Sequence, residues 1–177
     1  MEKIRGFEVV SSFEGQVNLP VRATKGAAGY DFEAATDIVI PSIWKQGVAT
    51  ALKAILTKEK FIADEVTQKE IKPTLIPTGI KSYMGADEYL QLTNRSSNPL
   101  KNYLWLANGV GVIDSDYYGN PDNEGHIMFQ FLNFGLMDKK IVKGDRIGQG
   151  IFLPFLKADQ DVTLGDRTGG FGSSGQR

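Results

Sequence analysis

Six short apolar segments, none longer than ten residues, limit the fold of this chain more than any other feature. They cover residues 37–41 (DIVIP), 74–80 (TLIPTGI), 88–93 (EYLQLT), 103–107, 126–134 (HIMFQFLNF) and 147–156, with turn residues between them. Short runs rich in β-branched and aromatic residues at this spacing predict an all-β sandwich or closed β-roll. Pro41, Pro73, Pro77, Pro99, Pro121 and Pro154 fall at strand ends or edges, where a missing N–H is tolerated. In HIMFQFLNF, Ile127, Phe129, Phe131 and Asn133 share one face, and Met128, Gln130, Leu132 and Phe134 share the other. Both faces are largely apolar, so this strand is expected to be buried between two sheets.

One stretch breaks the pattern. Between Gln46 and Val66, Val48, Leu52, Ile55, Leu56, Ile62 and Val66 recur at steps that are multiples of three and four, as an amphipathic helix requires. Lys53, Lys58, Glu59, Lys60, Asp64 and Glu65 take the remaining positions. The expectation is one helical insertion, residues 46–68, within a single domain spanning 1–177, a length that suits one core.

Charge and composition narrow the function. With 20 Lys+Arg against 21 Asp+Glu, the net charge of -1 argues against a protein that coats DNA, so no nucleic acid is expected as partner. A small anionic ligand held by two or three arginines remains compatible. The absence of cysteine excludes disulfides, thiol catalysis and cysteine-based zinc sites. A single histidine, His126, excludes a histidine cluster, so any metal is expected to be a hard, oxygen-bound ion such as Mg²⁺. No apolar run approaches the ~20 residues of a membrane span, and the first residues lack the apolar core of a signal peptide. A soluble, intracellular, cytoplasmic protein is expected, and the sequon at Asn94–Ser96 carries no weight.

Five segments could carry chemistry. The last is GGFGSSGQR, where residues 170–175 match G-x-G-x-x-G. That fingerprint works between a strand and a helix, and only Gln176 and Arg177 follow, so a dinucleotide-binding reading is rejected. What remains is an expected flexible arm, 165–177, with backbone donors, two hydroxyls, Arg167 and one aromatic, Phe171. Amides and arginine suit phosphate oxygens and a lone aromatic suits a flat base, but a loose terminus has the same composition. In Asn108–Gly119 (NGVGVIDSDYYG), Asp114 and Asp116 would face the same way on a strand and could position a water or a metal; the plainer reading is a hairpin with polar turn residues. Thr93–Pro99 (TNRSSNP) offers Arg95 and adjacent hydroxyls for phosphate, or an ordinary turn. Gly144–Gln149 (GDRIGQ) and Ala27–Phe32 (AAGYDF) each read equally as turns, and His126 reads as structural.

The order of these segments is more telling than any one of them. AAGYD, NRSS, NGVGVIDSDYYG, GDRIGQ and RTGGFGSSG together resemble the five ordered motifs of the trimeric deoxyuridine triphosphatases (dUTPases), from about Ala27 to Gly175. The resemblance implies a homotrimer of jelly-roll-like β-clip subunits that hydrolyses dUTP to dUMP and pyrophosphate, with Mg²⁺ on the triphosphate. It implies shared active sites: one chain lends Ala27–Asp31, Asn94–Ser97 and Gly144–Gln149, a second lends the hairpin around Asp114, and a third lends its C-terminal arm.

Carried over by motif, Asp114 is the catalytic carboxylate that orients and deprotonates the water attacking the α-phosphorus. Tyr117 packs on the deoxyribose and leaves no room for a 2′-hydroxyl. The Asn108 hairpin, opened by Gly111, reads the uracil edge. Arg95, Ser96 and Ser97 contact phosphate, with Ser96 near the α–β bridge, and Gln149 contacts phosphate as well. Asp31 holds Mg²⁺ through water. Phe171 stacks on uracil, Arg167 meets the γ-phosphate, and Gly172, Ser173 and Ser174 complete the cradle.

Three features depart from the usual pattern. Arg167 stands four residues before Phe171, one closer than is commonest; Tyr118 fills a slot often held by a polar residue; and NPDNEG lengthens the hairpin after Asp114. The 46–68 insertion is read as surface decoration, since long loops cost little, or else as a docking surface for a partner protein, as in some phage dUTPases of Gram-positive hosts. Competing functions are a dUTP-sensing regulator acting through that insertion, a dCTP deaminase of the same fold needing a catalytic glutamate for which only Glu124 is near, and a structural jelly roll, which leaves the motif order unexplained.

Overall fold

The computed structural model describes residues 3–45, 56–57, 72–163 and 165. Twelve strands are seen among them: β1 (Gly6–Val9), β2 (Val21–Arg22), β3 (Tyr30–Glu33), β4 (Ile38–Ile40), β5 (Thr74–Pro77), β6 (Ile80–Tyr83), β7 (Glu88–Asn94), β8 (Leu104–Leu106), β9 (Gly111–Asp114), β10 (Met128–Asn133), β11 (Lys139–Ile141) and β12 (Arg146–Pro154). A short helix, α1 (Ser97–Asn102), follows β7, and a 3₁₀ turn (Ser115–Tyr117) follows β9. Every named strand pairing is antiparallel. The largest sheet runs β2–β3–β12–β7–β9, a three-stranded sheet runs β5–β10–β8, and β1–β6 and β11–β4 form ribbons. The expected all-β, jelly-roll-like architecture is present.

Strand alternation builds the core. On β7, Leu90 and Leu92 point inward while Tyr89, Gln91 and Thr93 lie on the other face. On β10, Phe129 and Phe131 point inward and meet Phe32 of β3, with ring centroids 5.6 Å apart for Phe32 and Phe129. Ile40, Ile76, Ile80, Leu104 and Ile127 complete this core, each almost fully buried. Gly148 on β12 lies flat against the Phe129 ring, where any Cβ would collide with it. The buried Asn133 is paired: it donates to the Ile40 carbonyl (3.0 Å) and accepts from Gly135 N–H (2.8 Å).

His126 is structural, as expected. It is buried, and its Nε2 accepts from Gly79 N–H at 2.8 Å. Burial holds its pKa below the ordinary histidine value, so the neutral acceptor form is the one the fold favours.

Several expectations change. Only one face of β10 is fully buried: Met128, Gln130 and Leu132 are half-buried and Phe134 is exposed. The 74–80 run is two strands, broken at Thr78–Gly79, where Gly79 takes φ +70°. AAGYDF is not a turn: Tyr30–Glu33 is a strand inside the largest sheet. The insertion expected over 46–68 lies outside the described residues, apart from Leu56 and Thr57, which are helical and exposed. The expected arm also lies outside them, apart from Gly165. No helix among the described residues is long and apolar enough to cross a membrane.

Candidate active site

Two groups of polar side chains form on the largest sheet. The first gathers around β12. Gln149 lies directly opposite Asp31 of β3 on one side and Thr93 of β7 on the other, so the three share one face in a row across the sheet. Asp31 Oδ2 accepts from Arg146 at 3.1 Å, and Arg95 Nε stands 3.7 Å from Asp31 Oδ1. Arg95 also donates to the Arg146 carbonyl at 3.1 Å. Two guanidiniums therefore surround one half-buried carboxylate, giving a net positive patch with N–H donors left over, the chemistry that binds phosphate oxygens. Ser96 is exposed and Ser97 half-buried where α1 begins beside this patch. Gly29 of the AAGYD segment permits the arrangement, since a side chain there would strike the Gln149 amide. A polar pocket of about 460 Å³ opens next to it, lined in part by Arg95, Asn98, Lys139 and Arg146.

The second group centres on Asp114. It ends β9 opposite Tyr89 of β7, half-buried, in the wall of a pocket of about 270 Å³ shared with Gln91, Val112 and Phe155. The chain then leaves the strand in the 3₁₀ turn, so Asp114 and Asp116 do not share a strand face as their spacing predicts. Tyr117 is buried, and its hydroxyl accepts from Asn123 Nδ2 at 2.7 Å. Asn108 is exposed in the turn before β9, while Gly111 is buried against Leu92.

The structure does not bring these groups together within one chain. Asp114 pairs with Tyr89 on one side of β7, while Gln149 pairs with Thr93 on the other side. Four residues of strand at about 3.3 Å each, and two strand spacings of about 4.8 Å, separate their backbones by about 16 Å. Arg95 lies two residues further along.

Glu124, the glutamate nearest Asp114 in sequence, is already engaged. Lys81 Nζ donates to it at 2.8 Å and Ser11 donates from its hydroxyl and its N–H. These partners, Lys81 foremost, lower its pKa to about 2. A carboxylate held as an anion in a surface ion pair is a poor proton shuttle.

Arg167, Phe171, Gly172, Ser173 and Ser174 lie outside the described residues. Among the described residues no cluster of three or more His, Asp or Glu side chains could cage a metal. Two residues of the first group were not singled out from the sequence: Arg146, which GDRIGQ contains, and Asn98, which RSSNP contains but which gives no signal of its own.

Comparison with known proteins shows the family. The dUTPase family profile matches residues 61–175. The chain is 46% identical over 176 residues to the deoxyuridine 5′-triphosphate nucleotidohydrolase of Lactococcus lactis, covering 98% of this chain and 99% of that protein. The crystal structure of dUTPase from Streptococcus mutans matches at a TM-score of 0.69 and 38% identity, covering 87% of this chain and 98% of that one. The Staphylococcus bacteriophage 80alpha dUTPase shares the fold at a TM-score of 0.62 and 16% identity, covering 94% of this chain and 99% of that one. In sequence over nearly its whole length, and in fold, the chain belongs to the dUTPase family.

Proposed function

We propose that this chain hydrolyses dUTP to dUMP and pyrophosphate, with Asp114 activating the attacking water at a site shared between subunits of a homotrimer. The observation that carries the shared site is the division of the polar groups along β7. A water attacks from about 3–3.5 Å, so a base about 16 Å from the phosphate-binding row cannot serve that row's own substrate. A second chain must supply Asp114, and a head-to-tail ring of identical chains does so at every interface.

In this reading Arg95, Ser96, Ser97 and Gln149 hold the triphosphate and offset its charge. Phosphoryl transfer needs positioning and electrostatic stabilisation more than covalent chemistry, in keeping with a chain that lacks cysteine. Asp114 takes the proton of the water and orients it. Tyr117, with its hydroxyl fixed by Asn123, presents a rigid ring edge to the sugar. Backbone groups at Asn108 and Gly111 accept and donate to the uracil edge. Cytosine reverses that pattern and would leave buried polar groups unpaired. The arm carrying Arg167, Phe171, Gly172, Ser173 and Ser174 closes over the nucleotide from a third chain.

Asp31 is the carboxylate of this row that would meet a Mg²⁺ delivered with the substrate, in competition with Arg146 and Arg95. Asp31 is one carboxylate between two arginines, and Mg²⁺ is commonly held by one or two carboxylates plus substrate phosphates while keeping several waters. A bound Mg²⁺ would offset charge on the phosphates, and Asp31 would be the residue to hold it, through water. A deaminase would need Glu124 as its proton shuttle, and the Lys81 and Ser11 contacts speak against that role.

Pyrophosphate release is measured with dUTP, dCTP, dTTP and UTP, each with Mg²⁺ and with EDTA. The expected result is turnover of dUTP alone, suppressed by EDTA. Ammonia release from dCTP, or binding of dUTP without turnover, would overturn the assignment.

A further inference from the structure

We infer that Asn98 is a positioning residue for the triphosphate site, acting through a β-bulge at Ile147. The inference rests on the reading of Arg95 and Gln149 as phosphate ligands.

The bulge is visible in the strand register. Arg146 pairs with Glu33 and Gly148 with Phe32, so two steps along β12 match one step along β3. Pairing with β7 begins only at Gly148. Ile147 is thus the extra residue, outside the ladder on both sides, and it is buried. A buried carbonyl without a ladder partner must find another donor. The Ile147 carbonyl accepts from Asn98 Nδ2 at 2.7 Å.

Asn98 is built for this bond. It is 4% exposed, and the same Nδ2 donates its second hydrogen to Asn94 Oδ1 at 2.8 Å. Both partners are acceptors, which fixes the orientation of the amide. Asn94 Nδ2 in turn donates to the Leu104 carbonyl at 2.9 Å, tying the set to β8. Three residues before Asn98, Arg95 donates to the Arg146 carbonyl. Two successive carbonyls of the bulge are therefore held by one turn, at Arg95 and at Asn98. Bulges redirect the side chains around them. Here the flanking side chains are Arg146, which meets Asp31, and Gln149, two residues beyond the extra residue. Asn98 reaches the wall of the adjacent pocket but is 4% exposed and spends both Nδ2 hydrogens on Ile147 and Asn94, so it acts by fixing where these groups point.

Loss of the amide leaves the Ile147 carbonyl and Asn94 Oδ1 without a donor, and the bulge is free to shift. A misplacement of about 1 Å can cost about 100-fold in a positioned site. For N98A, and for the isosteric N98D, which keeps the volume but loses both donors, the Kd of α,β-imido-dUTP is expected to rise about tenfold or more. The Kd of dUMP, which lacks the β- and γ-phosphates, is expected to change by less than about threefold. The ratio of the two constants does not depend on how much of a preparation is folded. It is also taken on N98S, which keeps one hydroxyl donor and guards against loss of fold in the other two. A ratio unchanged in the folded variants would make Asn98 a purely structural residue and overturn the inference. R95A is the control: if it leaves α,β-imido-dUTP binding intact, the phosphate-site reading itself fails; if it weakens binding while N98A, N98D and N98S do not, only the role of Asn98 fails.

Discussion

Asp114→Asn lowers dUTP turnover by about 10²–10⁴-fold while leaving the assembly intact. The substitution keeps the size and shape of the side chain and removes the group that takes the proton from water. Asp114 is held in place by backbone pairing of β9 with β7, opposite Tyr89, and that ladder does not depend on the carboxylate. Turnover is followed by pyrophosphate release, and assembly by size-exclusion chromatography. Wild-type turnover in the variant would remove Asp114 from the mechanism.

Deletion of Arg167–Arg177 abolishes most hydrolysis, by about 100-fold or more, without unfolding the protein. The expectation rests on what those residues offer: a guanidinium, two hydroxyls, an aromatic ring and a run of glycine amides. Each suits a part of the nucleotide left open by the sheet. A lid of this kind excludes water and completes the constellation around the substrate. The fold is expected to survive, because the core is built from β3, β7, β10 and β12, and none of its residues lies beyond Ile147 except Phe152, which packs against it. Thermal unfolding of the truncated chain checks the second half of the expectation. Normal turnover by that chain would end the reading of the arm.

Short-range patterning made much of the fold legible. Residues 88–93 and 147–156 read as strands because their apolar residues and flanking turns agree, and both are strands of the central sheet. Tyr30–Glu33 does not read as a strand because AAGYDF carries turn residues on its leading side; the strand is secured by its ladder with β12, a contact 115 residues away for Asp31 and Arg146. The outer face of β10 reads as apolar, yet it is only half-buried, because alternation gives a side chain's direction and not what covers it. For the proposed site, motif order points to Asp31, Arg95, Gln149 and Asp114 without any geometry. Proximity cannot be read that way: Asp114 stands across β7 from Asp31 and Gln149 and toward the opposite end of it from Arg95. Asn98 was illegible for a further reason: its partner is a backbone carbonyl freed by a bulge, and a bulge is a property of the strand register, not of the letters.

The shared site is tested most directly by mixing two inactive variants, D114N and R95A, through joint refolding or co-expression. Each variant lacks one half of the site and keeps the other. In randomly mixed rings, about a quarter of the interfaces join an intact Asp114 from one chain to an intact Arg95 from its neighbour. Activity near a quarter of wild type, absent from either variant alone, is the predicted result. Activity no greater than the sum of the two separate variants would contradict a site divided between chains.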